Sequence, residues 1–333
     1  MTRIRSLLFF LIVILLIAGA FLYLKPHYFN KVEKYSVSIA VSKSPLSTPF
    51  YIAKSINAFE DTCVEVEYNE VLGGLAAFDN VIKGEVDFGT SSDSVIAFQS
   101  LTKQAFVTHA MFVQSDNDVK LLTYQVDKVK SAAELKGKKI GVTKGSASEY
   151  FLSTLLAIEG LSVEDVELYN YKPADLINGL NNNEVDAIVP WEPFAFNAVK
   201  LLKNKVTVQN TKNVNTLSFN LISKIADDLL VEKATCLIQG LNVAIAYIAT
   251  HPEKSKKIVI DELHSDPSFI DWVWDDYVFK LGLNQSLIFN IKSQAAWAID
   301  MQMSEYNEMP NIDDFIDSRA MIQVDPGAVN IPL

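Results

Sequence analysis

Apolar positions along the chain change their spacing from segment to segment. The first such segment is continuous: after Arg3 and Arg5, every position from Leu7 to Leu24 is apolar, small or aromatic, and the first charge to follow is Lys25. A run of about 20 apolar residues rising 1.5 Å each spans a hydrocarbon core. Residues 1–24 are therefore predicted to form one N-terminal hydrophobic helix, and 25–35 a linker. The arginines on its short amino-terminal side place that end in the cytoplasm and everything after the helix outside it. Ala18-Gly19-Ala20 fits the small-residue pattern of a signal-peptidase site, but Phe21-Leu22-Tyr23-Leu24 carries the apolar run past it, which favours an anchor retained in the membrane.

Beyond residue 35 the period alternates between two and 3.6. Short β-rich runs occur at Val37–Val41, Val64–Tyr68, Val86–Gly89, Ala105–Val113, Lys139–Val142, Val166–Tyr169, Val185–Val189 and Leu217–Ile222. Helix-period segments lie between them at Phe50–Ala58, Leu75–Lys83, Ala147–Glu159 and Ala174–Leu180. This alternation predicts an α/β chain with mostly parallel strand pairing. After Ala226 the strand signal fades, and helices are expected over Leu229–Ala249, Glu253–Glu262, Ser268–Leu281 and Asn290–Met301.

The pattern also repeats. Ile39-Ala40-Val41-Ser42-Lys43-Ser44 matches Ile140-Gly141-Val142-Thr143-Lys144-Gly145 at an offset of 101, and Glu85-Val86-Asp87 matches Glu184-Val185-Asp186 at an offset of 99. Two anchors at nearly one spacing imply two lobes of like topology. In open parallel sheets ligands sit beyond the carboxyl ends of the strands. The loops to inspect are then Ser42–Pro49, Thr90–Asp93, Lys144–Ser148 and Pro190–Pro193. At the offset of 99, Asp93 falls opposite Glu192, so each lobe is expected to direct one carboxylate into a common cleft. Ser146 and Ser148, after Gly145, open a helix whose free N–H groups suit an anion. Trp191, stiffened by Pro190 and Pro193, suits stacking on a flat or cationic group. Asp87 and Asp186 are expected to be turn or capping acids.

Composition narrows the function classes. A chain of 333 residues that is 49% hydrophobic supports one large core or two ordinary ones. Its 40 acids against 29 bases give a net charge of −11, and with no basic run this argues against nucleic acid as a partner. Cys63 and Cys236 stand apart from each other and from any histidine ladder. No metal site is predicted from them; the preferred reading is two buried free thiols, with one long-range disulfide as the alternative. His27, His109, His251 and His264 are scattered, no nucleophile–base or ligand spacing stands out, and no catalytic residue, metal or cofactor is assigned.

Four segments together resemble a known family: Pro49-Phe50-Tyr51-Ile52-Ala53-Lys54, the stretch Gly84 to Asp93, Glu134 to Val142, and Asp186 to Phe194. They are similar to the substrate-binding proteins of ABC importers for nitrate, sulfonates, taurine and thiamine precursors, the SsuA/THI5-like branch of the type 2 periplasmic binding proteins. The resemblance implies a two-lobed Venus-flytrap fold, with lobe 1 formed by 36–116 and 217–333 and lobe 2 by 117–216. It implies capture of a solute without chemistry and a permease as partner. Carried over position by position, it implies ligand contacts from Ser47 or Thr48, Ser91, Ser92, Asp93, Ser146, Ser148, Trp191 and Glu192. Hydroxyls at helix starts suit an anionic oxygen group and the two carboxylates suit an amine, so a zwitterion such as an aminosulfonate, or an aminopyrimidine, is the expected ligand. A membrane-anchored sensing or partner-docking module is the alternative. An enzyme resembling thiamine-pyrimidine synthases is a more remote one, since those use histidine with a cysteine cluster.

Overall fold

Two β-sheets, each fed by the alternation of strand and helix periods, organise the chain. The computed structural model describes residues 34–102, 104–124, 131–224, 227–303 and 308–331. The expected membrane helix from Leu7 to Leu24 lies outside the described residues. The first sheet has seven strands in the order β12-β11-β4-β10-β3-β1-β2. These are β1 (Tyr35–Ser42), β2 (Val64–Val71), β3 (Phe88–Ser92), β4 (Val107–Ser115), β10 (Leu217–Ser223), β11 (Tyr277–Asn284) and β12 (Val329–Asn330). The second has five strands in the order β7-β6-β8-β5-β9, namely β5 (Leu122–Tyr124), β6 (Lys139–Val142), β7 (Glu167–Asn170), β8 (Ala187–Ile188) and β9 (Val206–Val208).

Around the first sheet lie α1 (Thr48–Ser55), α2 (Gly74–Lys83) and α3 (Asp93–Ser100), with α4 (Ala147–Ile158), α5 (Leu176–Asn181) and α6 (Phe194–Leu202) belonging to the second. The chain passes between the sheets twice, through residues 116–121 and 209–216, and then adds α7 (Asp228–Thr250), α8 (Pro252–Leu263), α9 (Pro267–Trp274), α10 (Gln285–Asp300) and α11 (Arg319–Val324). Of these, α7 and α8 pack on α1, α9 packs on α8, and α10 packs on α3.

The internal repeat has a structural counterpart. The pair β1–β3 is parallel with Ile39 opposite Phe88, and β6–β8 is parallel with Ile140 opposite Ala187, the same register at the same offsets. The acids preceding β3 and β8 do one job twice: Asp87 accepts from the Ser38 N–H at 2.9 Å and Asp186 from the Lys139 N–H at 2.8 Å. Each carboxylate pins the entry of the neighbouring strand, satisfying a backbone donor that the ladder leaves open.

Pairing elsewhere departs from the mostly parallel expectation. β10 runs antiparallel to both β3 and β4, β11 is antiparallel to β4, and β5 is antiparallel to β8 and β9. The cause is topological: a chain that leaves one sheet and returns re-enters beside strands already laid down. The helix expected over Ser268–Leu281 also ends early, at Trp274, and Tyr277–Asn284 becomes β11 inside the first sheet. Val278, Phe279, Leu281 and Leu283 satisfy a strand period as readily as a helical one, and pairing with β4 decides.

Buried aromatic side chains fill the first lobe, where Phe50 meets Phe112 edge-on at 5.1 Å and Phe78 meets Phe106 at 4.9 Å. Aliphatic clusters around Ile140, Leu152 and Val189 and around Leu176, Ile188 and Ala198 fill the second. The two cysteines are not free thiols: Cys63, just before β2, is bonded to Cys236 on α7, with their Cα atoms 5.6 Å apart. The tie links elements 173 residues apart in sequence.

Candidate functional site

A cavity of about 1300 Å³ opens between the two sheets' loops. Its wall is assembled from the turn after β1 (Ser42 to Leu46), the approach to α2 (Leu72 to Leu75), the first turn of α3, the first turn of α4 (Gly145 to Ala147) and the loop Trp191 to Phe194. Two glycines make this possible. Gly145 adopts φ +70, which lets β6 turn into α4, and Gly74 lets α2 begin against β3, since a Cβ there would sit 3.0 Å from the Ser92 backbone nitrogen.

The cleft is flanked on two sides by helices of the first lobe that touch the second. On one flank, α9 meets α6: Phe196 packs against Phe269 at 5.2 Å and Trp272 at 6.1 Å, and Lys200 pairs with Asp266. On the other, Trp297 of α10 packs against Phe98 of α3 and Tyr150 of α4, and donates from Nε1 to the Ser153 hydroxyl at 3.2 Å. The lobes are thus in contact along both sides of the cavity.

Of the residues expected to bind ligand, Ser92, Ser146, Trp191 and Glu192 line this cavity. Ser47, Thr48, Ser91, Asp93 and Ser148 are fully buried behind its wall. There they hold the loops together: the Thr48 hydroxyl donates to the Pro45 carbonyl, that of Ser91 to Gly74, and that of Ser148 to Val189, while the Ser47 hydroxyl has no partner among the described residues. Asp93 was expected to reach the cleft and is not among the residues that line it. Its buried carboxyl accepts from its neighbour Ser94 N–H at 3.0 Å and from the Asn290 side chain on α10, and burial pushes its pKa from an ordinary 3.8 to about 7.

The helix starts are also largely self-satisfied. Ser92 accepts from the Val95 N–H, Ser146 from the Ser148 N–H, and Glu149 reaches back to the Gly145 N–H at 2.7 Å. Ser92 and Ser146 are therefore N-caps, which is the commoner use of serine at such positions. The start of α2, by contrast, is capped by Gly73, which brings no side chain to its N–H groups.

Glu192 faces the cavity but is committed. Its buried carboxylate accepts from Trp272 Nε1 at 2.6 Å and from the Phe196 N–H at 3.0 Å, and pairs with Lys120 at 3.2 Å. Burial raises its pKa, and Lys120 opposes that rise. Lys120 lies on the first crossing and also reaches Asp276, which is shared with Lys212 of the second crossing at 2.8 Å. Beside it, Asp118 accepts from the Tyr277 hydroxyl at 2.7 Å, and burial lifts its pKa to about 7. This polar knot at the crossings was not anticipated. The one signal for it was a lone lysine inside the apolar run Val119-Lys120-Leu121-Leu122, a position where an unpaired charge is prohibitively costly. Trp191 bridges to Val119, packs its ring at 5.8 Å from that of Phe194, and joins the second lobe's core while lining the cavity.

Comparison with known proteins agrees with this architecture. The chain is 23% identical over 247 residues, 72% of its length and 78% of the relative's, to a Haemophilus influenzae protein named for thiamine biosynthesis. It is 26% identical over 192 residues, 57% of this chain and 59% of the other, to an Escherichia coli protein named for aliphatic sulfonate binding. Among solved structures, the periplasmic aliphatic sulphonate binding protein SsuA from Escherichia coli superposes with a TM-score of 0.72 at 20% identity, covering 85% of this chain and 92% of that one. The profile of the family described as NMT1/THI5 like matches residues 44–255, more than half of the sequence, and the chain belongs to that family.

Proposed function

We propose that the protein is an extracytoplasmic solute-binding protein that captures a small organic anion between its two lobes and presents it to an ABC permease, held at the membrane by the segment from Leu7 to Leu24. The observation that carries this reading is the cavity itself: one hollow walled jointly by Ser42–Leu46 and Leu72–Leu75 of the first lobe and by Gly145–Ala147 and Trp191–Phe194 of the second. A solute touching both sets of loops is bound best when the lobes are together, so capture and closure are linked. The disulfide supports an oxidising, extracytoplasmic location.

Within the cavity the anionic end is best placed at the start of α2, where Gly73 leaves the helix's N–H groups without a side-chain cap. Recognition of an amine, and with it a zwitterion or an aminopyrimidine, has less support, because Asp93 does not line the cavity and Glu192 already holds Lys120 and Trp272. A thermal-shift screen of the protein against alkanesulfonates, taurine, nitrate, polyamines and pyrimidines tests the reading. A ligand that binds only the folded chain raises its melting temperature. Stabilisation by a sulfonate that disappears in Trp191→Ala is expected; a response confined to polyamines would overturn the anion assignment.

A further inference from the structure

We infer that the cleft takes up a proton together with its solute, and that Asp118, on the first crossing where the cavity meets the polar knot, is the group that holds it. The inference rests on the solute-capture reading above and adds a co-ligand to it.

The knot contains more carboxyls than it has cations to answer them. Lys120 pairs with Glu192 at 3.2 Å and stands 3.5 Å from Asp276, and Lys212 of the second crossing pairs with Asp276 at 2.8 Å. These two cations are thus committed to Glu192 and Asp276. Asp118 makes no ion pair among the described residues; its carboxyl accepts from the Tyr277 hydroxyl at 2.7 Å. The titratable and charged groups that face it are Tyr277 on β11, Asp276 just before that strand, Lys120 on the same crossing and Glu192 from the second lobe. Asp118 is itself 4% exposed. A carboxylate buried without a cation of its own is costly, and a proton removes that cost. Burial, with Glu192 and Asp276 beside it, accordingly lifts its pKa to about 7 against the pull of Tyr277 and Lys120.

The position of the knot ties this proton to capture. Asp118 and Glu192 both line the cavity. Glu192 belongs to the second lobe, whereas Trp272, Asp276 and Tyr277 belong to the first, and Trp272 Nε1 donates to Glu192 at 2.6 Å across the boundary. The Glu192 N–H also donates to the Asp118 carbonyl at 3.2 Å. Separating the lobes draws Glu192 away and lets water reach Asp118, whose carboxyl then ionises near its ordinary 3.8. The closed chain therefore binds one proton more than the open chain between that value and about pH 7. An anionic solute beside Asp118 acts in the same sense, because it favours the neutral acid. Capture is strongest at acidic pH and loses this contribution as pH rises through about 7. Asp93 does not contribute, since its partners Ser94, Ser218 and Asn290 all lie in the first lobe and stay with it when the lobes part.

The test is calorimetric titration of the full chain in lipid nanodiscs with hexanesulfonate, whose own charge is constant between pH 5 and pH 8. Phosphate and imidazole serve as buffers, since they differ widely in ionisation enthalpy and neither is a sulfonate; comparing the two heats counts the protons taken up. Uptake of roughly one proton per solute is expected at pH 6, falling toward zero at pH 8. The affinity should weaken by roughly 50-fold from pH 5 to pH 7. Asp118→Asn, which mimics the neutral acid, should bind with no proton uptake and with an affinity independent of pH. Should that variant fail to fold, Tyr277→Phe removes the hydroxyl that favours the ionised carboxylate and should move the fall in affinity to higher pH. Saturable binding with no proton uptake at pH 6 and equal affinity at pH 5 and pH 7, or an unchanged pH dependence in Asp118→Asn, overturns the inference and leaves solute capture standing. No binding of the probe at any pH, in a chain with a normal unfolding transition, overturns both.

Discussion

Asp93 offers a direct measurement of what the cleft wall does with a carboxyl group. Its side chain is fully buried, and its partners include the backbone N–H groups of Ser218 and Ser94 and the Asn290 side chain on α10, with burial the dominant influence on its pKa. The folded chain holds the proton up to about pH 7, whereas the unfolded chain releases it near 3.8. The folded state thus binds more protons across that window, so stability is fully present below pH 3.8 and is lost as pH rises toward 7. Each pH unit in the window is worth about 1.36 kcal/mol. From pH 5 to pH 7 the loss due to Asp93 alone is about 2 kcal/mol, less than two full units' worth because the folded carboxyl is itself half ionised at its pKa. For a domain of this size, that corresponds to roughly 3–6 °C in melting temperature.

Asp93→Asn removes the titration while keeping the shape and an oxygen for the Ser94 N–H. Asp118 is pushed in the same direction and to a similar value, but it is present in both proteins and cancels in the comparison. The assay is thermal unfolding followed by circular dichroism at pH 5 and pH 7. The variant should gain roughly 3–6 °C on the wild type between the two pH values, whatever its offset at pH 5. An equal difference at both pH values would show that the carboxyl is not held protonated, and the account of Asp93 as a buried structural acid would fail with it.

Two further perturbations test the framework around the cleft. Reducing the Cys63–Cys236 bond, or replacing both cysteines with serine, opens a loop of 173 residues; chain entropy puts the loss at about 5 kcal/mol, in the upper part of the usual range of about 2–5, and a melting temperature unchanged by reductant would refute the tie. Lys120→Met alone strands the buried Glu192 carboxylate and should destabilise by about 3–5 kcal/mol, whereas Lys120→Met with Glu192→Gln should recover much of that; additive losses in the double-mutant cycle would mean that the pair does not act as a unit.

Much of the fold was legible because its signals are local. The repeat around Ile39 and Ile140, with its following acids, reports short-range rules: β-branched runs make strands, and an aspartate beside a strand entrance finds a free N–H. Both halves obey them identically, as Asp87 and Asp186 show. What failed depended on distance. Tyr277–Asn284 became a strand because β4 offered it an edge, a partner more than 160 positions away that periodicity does not contain. The helix starts at Ser92 and Ser146 were found, but whether their N–H groups remain free for a solute is settled by the reach of Glu149, Asp93 and the serines themselves.

The two carboxylates set opposite one another by the repeat show how the halves diverged in use. Backbone equivalence put Asp93 and Glu192 at matching points of their lobes, and matching points would suit a pair of ligand contacts. The C-terminal helices, which have no counterpart in the second lobe, change that outcome. Asn290 of α10 bonds Asp93 across 197 positions of sequence, and Trp272 of α9 bonds Glu192 across 80. Each acid therefore anchors one of the two helices that flank the cleft, and the polar groups available to grip a charged solute become the groups that hold the walls in place. Acids committed in this way should govern stability, so Asp93→Asn is expected to change the pH dependence of unfolding.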